Sequence, residues 1–354
     1  MKSNYRYIVK AFMAMAVIAG TTSCDDFLDR EPMSSISPET YYSTAAQLEA
    51  NLNDEYPNVL PSFGQWTYGI FGEDKGTDNQ IEVNANDRYT QDRWKVPHSE
   101  SDNWKFERIY RINFFLSEAL PKFGEDMSGS QNTISGSVAT IKHYIGEMYF
   151  LRAYEYFKKL QLFGDFPIID QPLADEMEAL REASKRFPRN EVARFIISDL
   201  DKAYAYMSDV DMATTRINKD AAMLVKSRVA LFEATWLQNF KGTAFVPGGE
   251  GWPGASLHNN YQYPSGNIDN EVKYFLEQAV EASKLVADKY KGSLTENTGV
   301  LQQSADDPSN PYFDMFAQED LSDVKEVLLW RQYARGLSTH NINAAAGRGN
   351  YRIG

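Results

Sequence analysis

Residues 146 to 170, GEMYFLRAYEYFKKLQLFGDFPIID, constrain this chain more than any other stretch. Met148, Leu151, Tyr156, Leu160 and Phe163 recur at mostly three- and four-residue steps, the spacing of one helical face. Gly164 can supply a left-handed cap, and Pro167 forbids continuation, so the chain must leave the helix extended. Arg152, Glu155, Lys158 and Lys159 interrupt a circumference that is otherwise largely apolar. Such a helix cannot lie on a surface; it predicts a core built of other helices around it.

The rest of the chain supplies those helices. Ser37 and Pro38 offer an N-cap and a first helical position ahead of the stripe Leu48, Leu52, Tyr56 and Val59, which Pro61 closes. A further helix is expected from near Asn103, through Ile109, Ile112, Phe115, Leu116 and Ala119, to the residue before Pro121. Beyond it, residues 138 to 163 should pair with 190 to 207, capped by Asn190. Residues 219 to 240, capped by Asn218, should pair with 270 to 290. Each pair presents an apolar face too large to bury alone, so the pairs should stack. The pattern resembles degenerate tetratricopeptide units at a spacing far longer than the usual period of about 34 residues. The fold class expected is therefore all-α dominated: stacked helix pairs with long loops and a small irregular C-terminal part. A short strand is expected at Glu326 to Tyr333.

The N-terminus follows the plan of an export signal: Lys2, Arg6 and Lys10, then an apolar run from Ala11 to Gly20, then Thr21, Thr22 and Ser23. A run of roughly ten residues is too short to span a bilayer, which needs about 20. Cys24 is the sole cysteine, so no intramolecular disulfide can form, and its place after the signal suggests lipidation. Thr21 stands where a lipobox prefers leucine. The organisation expected is a lipoprotein signal peptide over residues 1–23, a polar tether over 24–36 and a helical core over 37–300. Residues 301–354 then begin a loop-rich C-terminal lobe that looks incomplete.

Catalytic spacing is missing. His98, His143, His258 and His340 form no i, i+4 pair, and no nucleophile elbow, P-loop or dinucleotide glycine pattern occurs. No metal or cofactor is expected. A formal charge of −13 argues against nucleic acid, which needs a basic footprint. Aromatic residues are plentiful at 13%, and two long loops mix them with polar groups. Asp78, Asn79, Arg88, Tyr89 and Trp94 lie in the first; Trp252, Asn259, Asn260, Tyr261 and Tyr263 lie in the second. Rings that stack on the C–H faces of sugars, beside amides and charges that bond hydroxyls, make a glycan site without a reactive nucleophile.

Several segments together resemble the SusD/RagB family, outer-membrane nutrient-binding lipoproteins of Bacteroidetes. They are Arg152-Ala-Tyr-Glu-Tyr-Phe157 with Leu162-Phe-Gly-Asp-Phe-Pro167, the opening Cys24-Asp-Asp-Phe-Leu-Asp29 with Tyr41 and Tyr42, and Trp104 followed by Tyr110-Arg-Ile-Asn113. The resemblance implies a surface-exposed, lipid-anchored, non-enzymatic protein that captures oligosaccharides for a SusC-like TonB-dependent transporter. It also implies a ligand site partly in the loop ahead of the Trp104 helix, and a chain longer than this one. Three alternatives stay open: a peptide binder of the same family, a glycan hydrolase whose carboxylate pair is not visible in sequence, and a helical-repeat scaffold with no small-molecule ligand.

Overall fold

The computed structural model describes residues 41–61, 80–82, 103–124, 126–208, 212–301, 304, 306–316, 318–332 and 351–353. Its helices are α1 (Ala45–Val59), α2 (Glu107–Phe123), α3 (Val138–Phe163), α4 (Met177–Ala183), α5 (Arg189–Tyr206), α6 (Lys219–Asn239), α7 (Ile268–Tyr290) and α8 (Pro311–Met315). A short 3₁₀ turn covers Pro253–Ser256. Strands β1 (Gln80–Glu82) and β2 (Tyr351–Ile353) form one antiparallel pair, with Ile81 opposite Arg352.

Helix α3 is the axis of the molecule. Ser137 caps its start, with Oγ accepting the Thr140 N–H at 3.4 Å. Gly164 ends it at φ +68°, donating its N–H to the Leu160 carbonyl at 2.9 Å. It packs against α1 and α2 on one flank and α5 on the other; α5 then packs on α6, and α6 on α7. Residues such as Met148, Phe150, Leu151, Tyr156 and Leu160 are therefore buried, each contributing roughly 1.5 to 3 kcal/mol by leaving water. The expected pairing of α3 with α5 and of α6 with α7 is what forms.

One glycine sets how closely the first pair approaches. A Cβ on Gly146 would lie 2.8 Å from the Met207 backbone nitrogen and 2.9 Å from the Ala203 carbonyl oxygen. Any side chain there would push α3 away from the end of α5. Below this contact, buried polar groups tie α1 to α3. Tyr56 donates to Glu147 Oε2 at 2.5 Å, and Arg216 grips the same carboxylate at 3.0 and 2.8 Å.

Some boundaries differ from expectation, for physical reasons. Ser37 and Pro38 lie outside the described residues, and α1 has its own capping box, in which Thr44 and Gln47 bond reciprocally. Pro121 sits inside the last turn of α2, and Pro57 inside α1. A proline late in a helix removes one hydrogen bond without ending the helix, because the following turn is already packed; Phe123 is buried. Asn190 does not cap α5, which begins one residue earlier after Pro188; its amide is used elsewhere. Residues 326 to 332 are irregular and form no strand. Trp330 donates its backbone N–H to the Thr214 carbonyl at 3.1 Å, and Asn218 Nδ2 donates to the Leu328 carbonyl at 2.6 Å. Those anchors hold the run at Leu328 and Trp330 without a partner strand.

Candidate functional site

Four charged residues of the 146–170 stretch, Glu147, Arg152, Glu155 and Lys159, are buried. Arg152 is buried and donates to Asp199 through Nε at 2.6 Å and Nη2 at 2.8 Å. Its Nη1 donates to Asn113 Oδ1 and to the Asp170 carbonyl, both at 2.9 Å. Tyr156 donates its hydroxyl proton to the Ile169 carbonyl at 2.9 Å and accepts the Ile169 N–H at 2.8 Å. Asn113 donates to the same carbonyl at 2.8 Å. Arg152, Tyr156 and Asn113 thus fasten the extended crossing after Gly164 back onto α2 and α3. Buried polar groups must be satisfied, and here the crossing's own backbone satisfies them.

Asp165, in that crossing, reaches the second loop. Its Oδ1 accepts the Arg189 backbone N–H at 2.9 Å and its Oδ2 accepts the Trp252 indole N–H at 2.7 Å. Burial raises the Asp165 pKa above the ordinary carboxylate value, against the pull of those two hydrogen bonds. Next to it Arg189 donates to Glu233 at 2.9 to 3.1 Å and stacks 4.1 Å from the centre of the Trp236 ring. Complete burial raises the Glu233 pKa, although Arg189 pulls it down.

Trp252 is itself buried, between His258 at 5.9 Å and Tyr261 at 5.6 Å, centroid to centroid. Tyr261 meets Tyr263 edge-on at 5.2 Å. Both tyrosines are half-buried, and their hydroxyls point into the protein. Tyr261 exchanges hydrogen bonds with the Asn190 amide at 2.9 and 3.1 Å, and Tyr263 donates to the Pro247 carbonyl at 2.6 Å. Asn259 and Asn260 are exposed on the same loop, with Asn260 at φ +54°, a left-handed conformation asparagine tolerates better than most residues. The structure therefore brings Trp252, Tyr261 and Tyr263 together as one cluster, with two exposed amides beside it. Asp78, Asn79, Arg88, Tyr89 and Trp94 lie outside the described residues, as does Cys24.

Polar residues that the sequence did not single out complete the cluster. Glu271 accepts from Arg194 at 2.7 and 2.9 Å, from Asn190 Nδ2 at 3.0 Å and from the Ser265 N–H at 3.2 Å. Burial pushes its pKa up, but the hydrogen bonds from Arg194, Asn190 and Ser265 outweigh burial and hold the carboxyl below its ordinary value. Arg194 stacks 3.7 Å from the Tyr274 ring centre. Asp165 carried a signal in sequence as the fourth residue of Leu162–Pro167, and Asn190 carried one only as a helix cap. Elsewhere, a groove of about 800 Å³ lies between α1, α3, α6 and the 326–332 segment, lined by Tyr56, Pro57, Leu60, Tyr154, Leu224 and Trp330 among others. Among the described residues no group of His, Cys, Asp or Glu is placed to hold a metal ion, and no helix is long and apolar enough to cross a membrane.

Comparison with known proteins identifies a family and relatives. A family model described as "Starch-binding associating with outer membrane" matches residues 26–231, a span that includes α1 to α5 and the Arg152–Pro167 segment. SusD-like protein P2 of Formosa agariphila is 25% identical over 253 residues, which are 68% of this chain and 46% of that protein. SusD-like protein P25 of the same organism is 25% identical over 233 residues, 60% of this chain and 41% of the relative. This chain thus spans less than half the length of these relatives. A solved SusD-like carbohydrate-binding protein from Bacteroides fragilis is 16% identical, with a TM-score of 0.44 over 73% of this chain and 42% of that one.

Proposed function

The chain belongs to the SusD-like family, whose members are carbohydrate-binding proteins associated with the outer membrane, and from that membership we propose a function as a cell-surface nutrient-binding lipoprotein. In this reading it captures glycan oligosaccharides and delivers them to a SusC-like TonB-dependent transporter. Residues 1–23 are the signal peptide, Cys24 carries the lipid anchor, and 24–36 tether the helical core of 37–300 to the outer membrane. Residues 301–354 begin a C-terminal lobe. The ligand meets Asp78, Asn79, Arg88, Tyr89 and Trp94 of the first loop and the Tyr261 and Tyr263 edges of the second, with Trp252 as the buried backing of those two rings.

The observation that carries this reading is the family match across 26–231, together with an aromatic and amide-bearing loop fastened to the matched segment through Asp165. Isothermal titration of a chain starting at Asp25 against maltoheptaose and a panel of other oligosaccharides and peptides tests it. Saturable heat with a glycan, lost in Trp94→Ala, is expected. Heat with peptides alone would replace glycan by peptide, and release of reducing ends during the titration would replace binding by hydrolysis. Cys24→Ala should move the full chain out of the membrane fraction; unchanged membrane association would remove the lipid anchor from the reading.

A further inference from the structure

The groove between α1, α3, α6 and residues 326–332 takes no part in the function proposed above, yet at about 800 Å³ it has the size of a small-molecule site. Pro57 and Leu60 from the end of α1, Phe150 from α3, Leu224 and Val225 from α6, and Leu328 form its walls. Two polar rings in the wall have their polar atoms engaged within the protein. The Tyr56 hydroxyl donates to Glu147 and accepts the Ile217 N–H at 2.9 Å, and the Trp330 indole N–H donates to Thr214 Oγ1 at 2.8 Å. A hydroxyl-rich ligand would leave water for few partners along such walls, whereas an alkyl chain would leave only unfavourable hydration behind.

One end of the groove differs. Helices α3 and α6 lie side by side here, with Phe157 edge-on to Phe232 at 5.6 Å. Four residues beyond Phe150 and Leu224, and so on the same helix faces, stand Tyr154 and Arg228. Tyr154 lines the groove half-buried, and its hydroxyl makes no hydrogen bond with a described residue. Arg228 is exposed and makes no hydrogen bond or ion pair with a described residue. Burial pushes the Tyr154 pKa up and the charge of Arg228 pulls it back, so the guanidinium lies within electrostatic reach of the hydroxyl. A cation and an O–H donor thus stand together without an anion to meet them. Toward the other end, where Asn218 and Thr214 hold Leu328 and Trp330, Glu326 and Arg331 bring charges of opposite sign and select neither. Ala221, also in the wall, is about 10 Å along α6 from Arg228, so the apolar part is elongated.

We propose that this groove binds a long-chain carboxylate, its alkyl chain along Phe150, Leu224 and Leu328 and its head accepting hydrogen bonds from Arg228 and the Tyr154 hydroxyl. A carboxylate matches the planar guanidinium through charge-assisted hydrogen bonds, and the apolar walls take the chain. The site shares no residue with the second loop and does not depend on glycan binding.

Isothermal titration of the chain from Asp25 with decanoate, kept below micelle formation, tests the assignment. One saturable site is expected. Arg228→Gln should weaken it about tenfold, the worth of a hydrogen bond to a charged group, and Tyr154→Phe should weaken it less. Decan-1-ol, which has the same body without the charge, should bind the parent and Arg228→Gln alike. Leu224→Asp, at a position 42% exposed, should abolish decanoate binding in a chain that still unfolds cooperatively. No saturable heat with decanoate would overturn the proposal, and is the result if residues 333–350 or a second protein cover the groove. Equal decanoate affinity in the parent and in Arg228→Gln would overturn it too, as would decylammonium binding as tightly as decanoate. Decanoate heat that survives Leu224→Asp would put the ligand elsewhere on the molecule and sink the groove assignment.

Discussion

The Arg152–Pro167 segment and the second loop use the same vocabulary of aromatic rings with Asp, Asn and Arg, yet they place it differently. In the segment the polar atoms of Arg152 and Tyr156 are used up inside, holding the crossing to the helices. In the loop the hydroxyls and the indole N–H are turned inward, but ring edges and two amides stay at the surface. Composition cannot separate these cases. Which bonds each polar atom makes can, and the loop qualifies as a recognition surface only in the part left after its structural bonds are made.

The largest effect should come from the segment. Arg152→Leu keeps the apolar body but leaves buried Asp199 with Lys202, at 3.7 Å, as its remaining cation, and breaking a buried pair typically costs about 3 to 5 kcal/mol. Urea unfolding should show a midpoint shift of that size. A cost below about 1 kcal/mol would mean that water or Lys202, 3.7 Å from Asp199, makes up for the lost guanidinium, and the contrast with the loop would weaken. Leu160→Ala tests the apolar side of the same helix. Leu160 is 1% exposed, and a large-to-small change at such a site costs roughly 2 to 5 kcal/mol.

How far all this could be read from sequence follows from the kind of interaction. Periodicity placed α3, α5, α6 and α7 closely, because each has an apolar face that only a helix can gather, and Gly164 marked the end of α3 by the conformation it must take. Proline misled at 121, where tertiary packing carried α2 past it. Asn190 misled at the start of α5, since an amide that suits an N-cap suits a buried bond to Tyr261 and Glu271 as well. The run at 327–330 read as a strand because apolar spacing does not distinguish a strand from a segment pinned by Thr214 and Asn218. The site was legible only as a list of loop rings. That Trp252 lies buried against Asp165 depends on a contact between residues far apart in the chain, which no local pattern encodes.

Within the loop the expected effects are smaller. Trp252→Phe keeps the apolar body and removes the indole N–H, so Asp165 Oδ2 loses a donor while Oδ1 keeps the Arg189 N–H. A buried acceptor left unpaired costs about 1 to 3 kcal/mol. The shift should appear in the urea midpoint with an unchanged slope, and glycan binding should weaken because the ring behind Tyr261 is no longer fixed by Asp165. A variant as stable as the parent would show that water replaces the indole, and that the loop is held by Asn190 and Pro247 instead.

The smallest effect distinguishes the two regions by sign. Glu271 has a folded pKa below its ordinary value, so its ionised form stabilises the fold above the unfolded pKa, and that contribution is lost as pH falls through the folded pKa. Asp165 has a folded pKa above its ordinary value, so the native state takes up its proton first. Its contribution runs the other way, falling as pH rises from the unfolded to the folded value. The net acid limb is a difference between these opposing slopes. Glu271→Gln keeps a hydrogen-bond acceptor for Arg194 and removes the titration, so the loss of stability on acidification should become shallower below the ordinary glutamate range. Thermal unfolding followed across that range measures it. A steeper limb in the variant would mean that burial, and not the bonds from Arg194, Asn190 and Ser265, governs Glu271, which would make the loop electrostatically like the segment around Asp165.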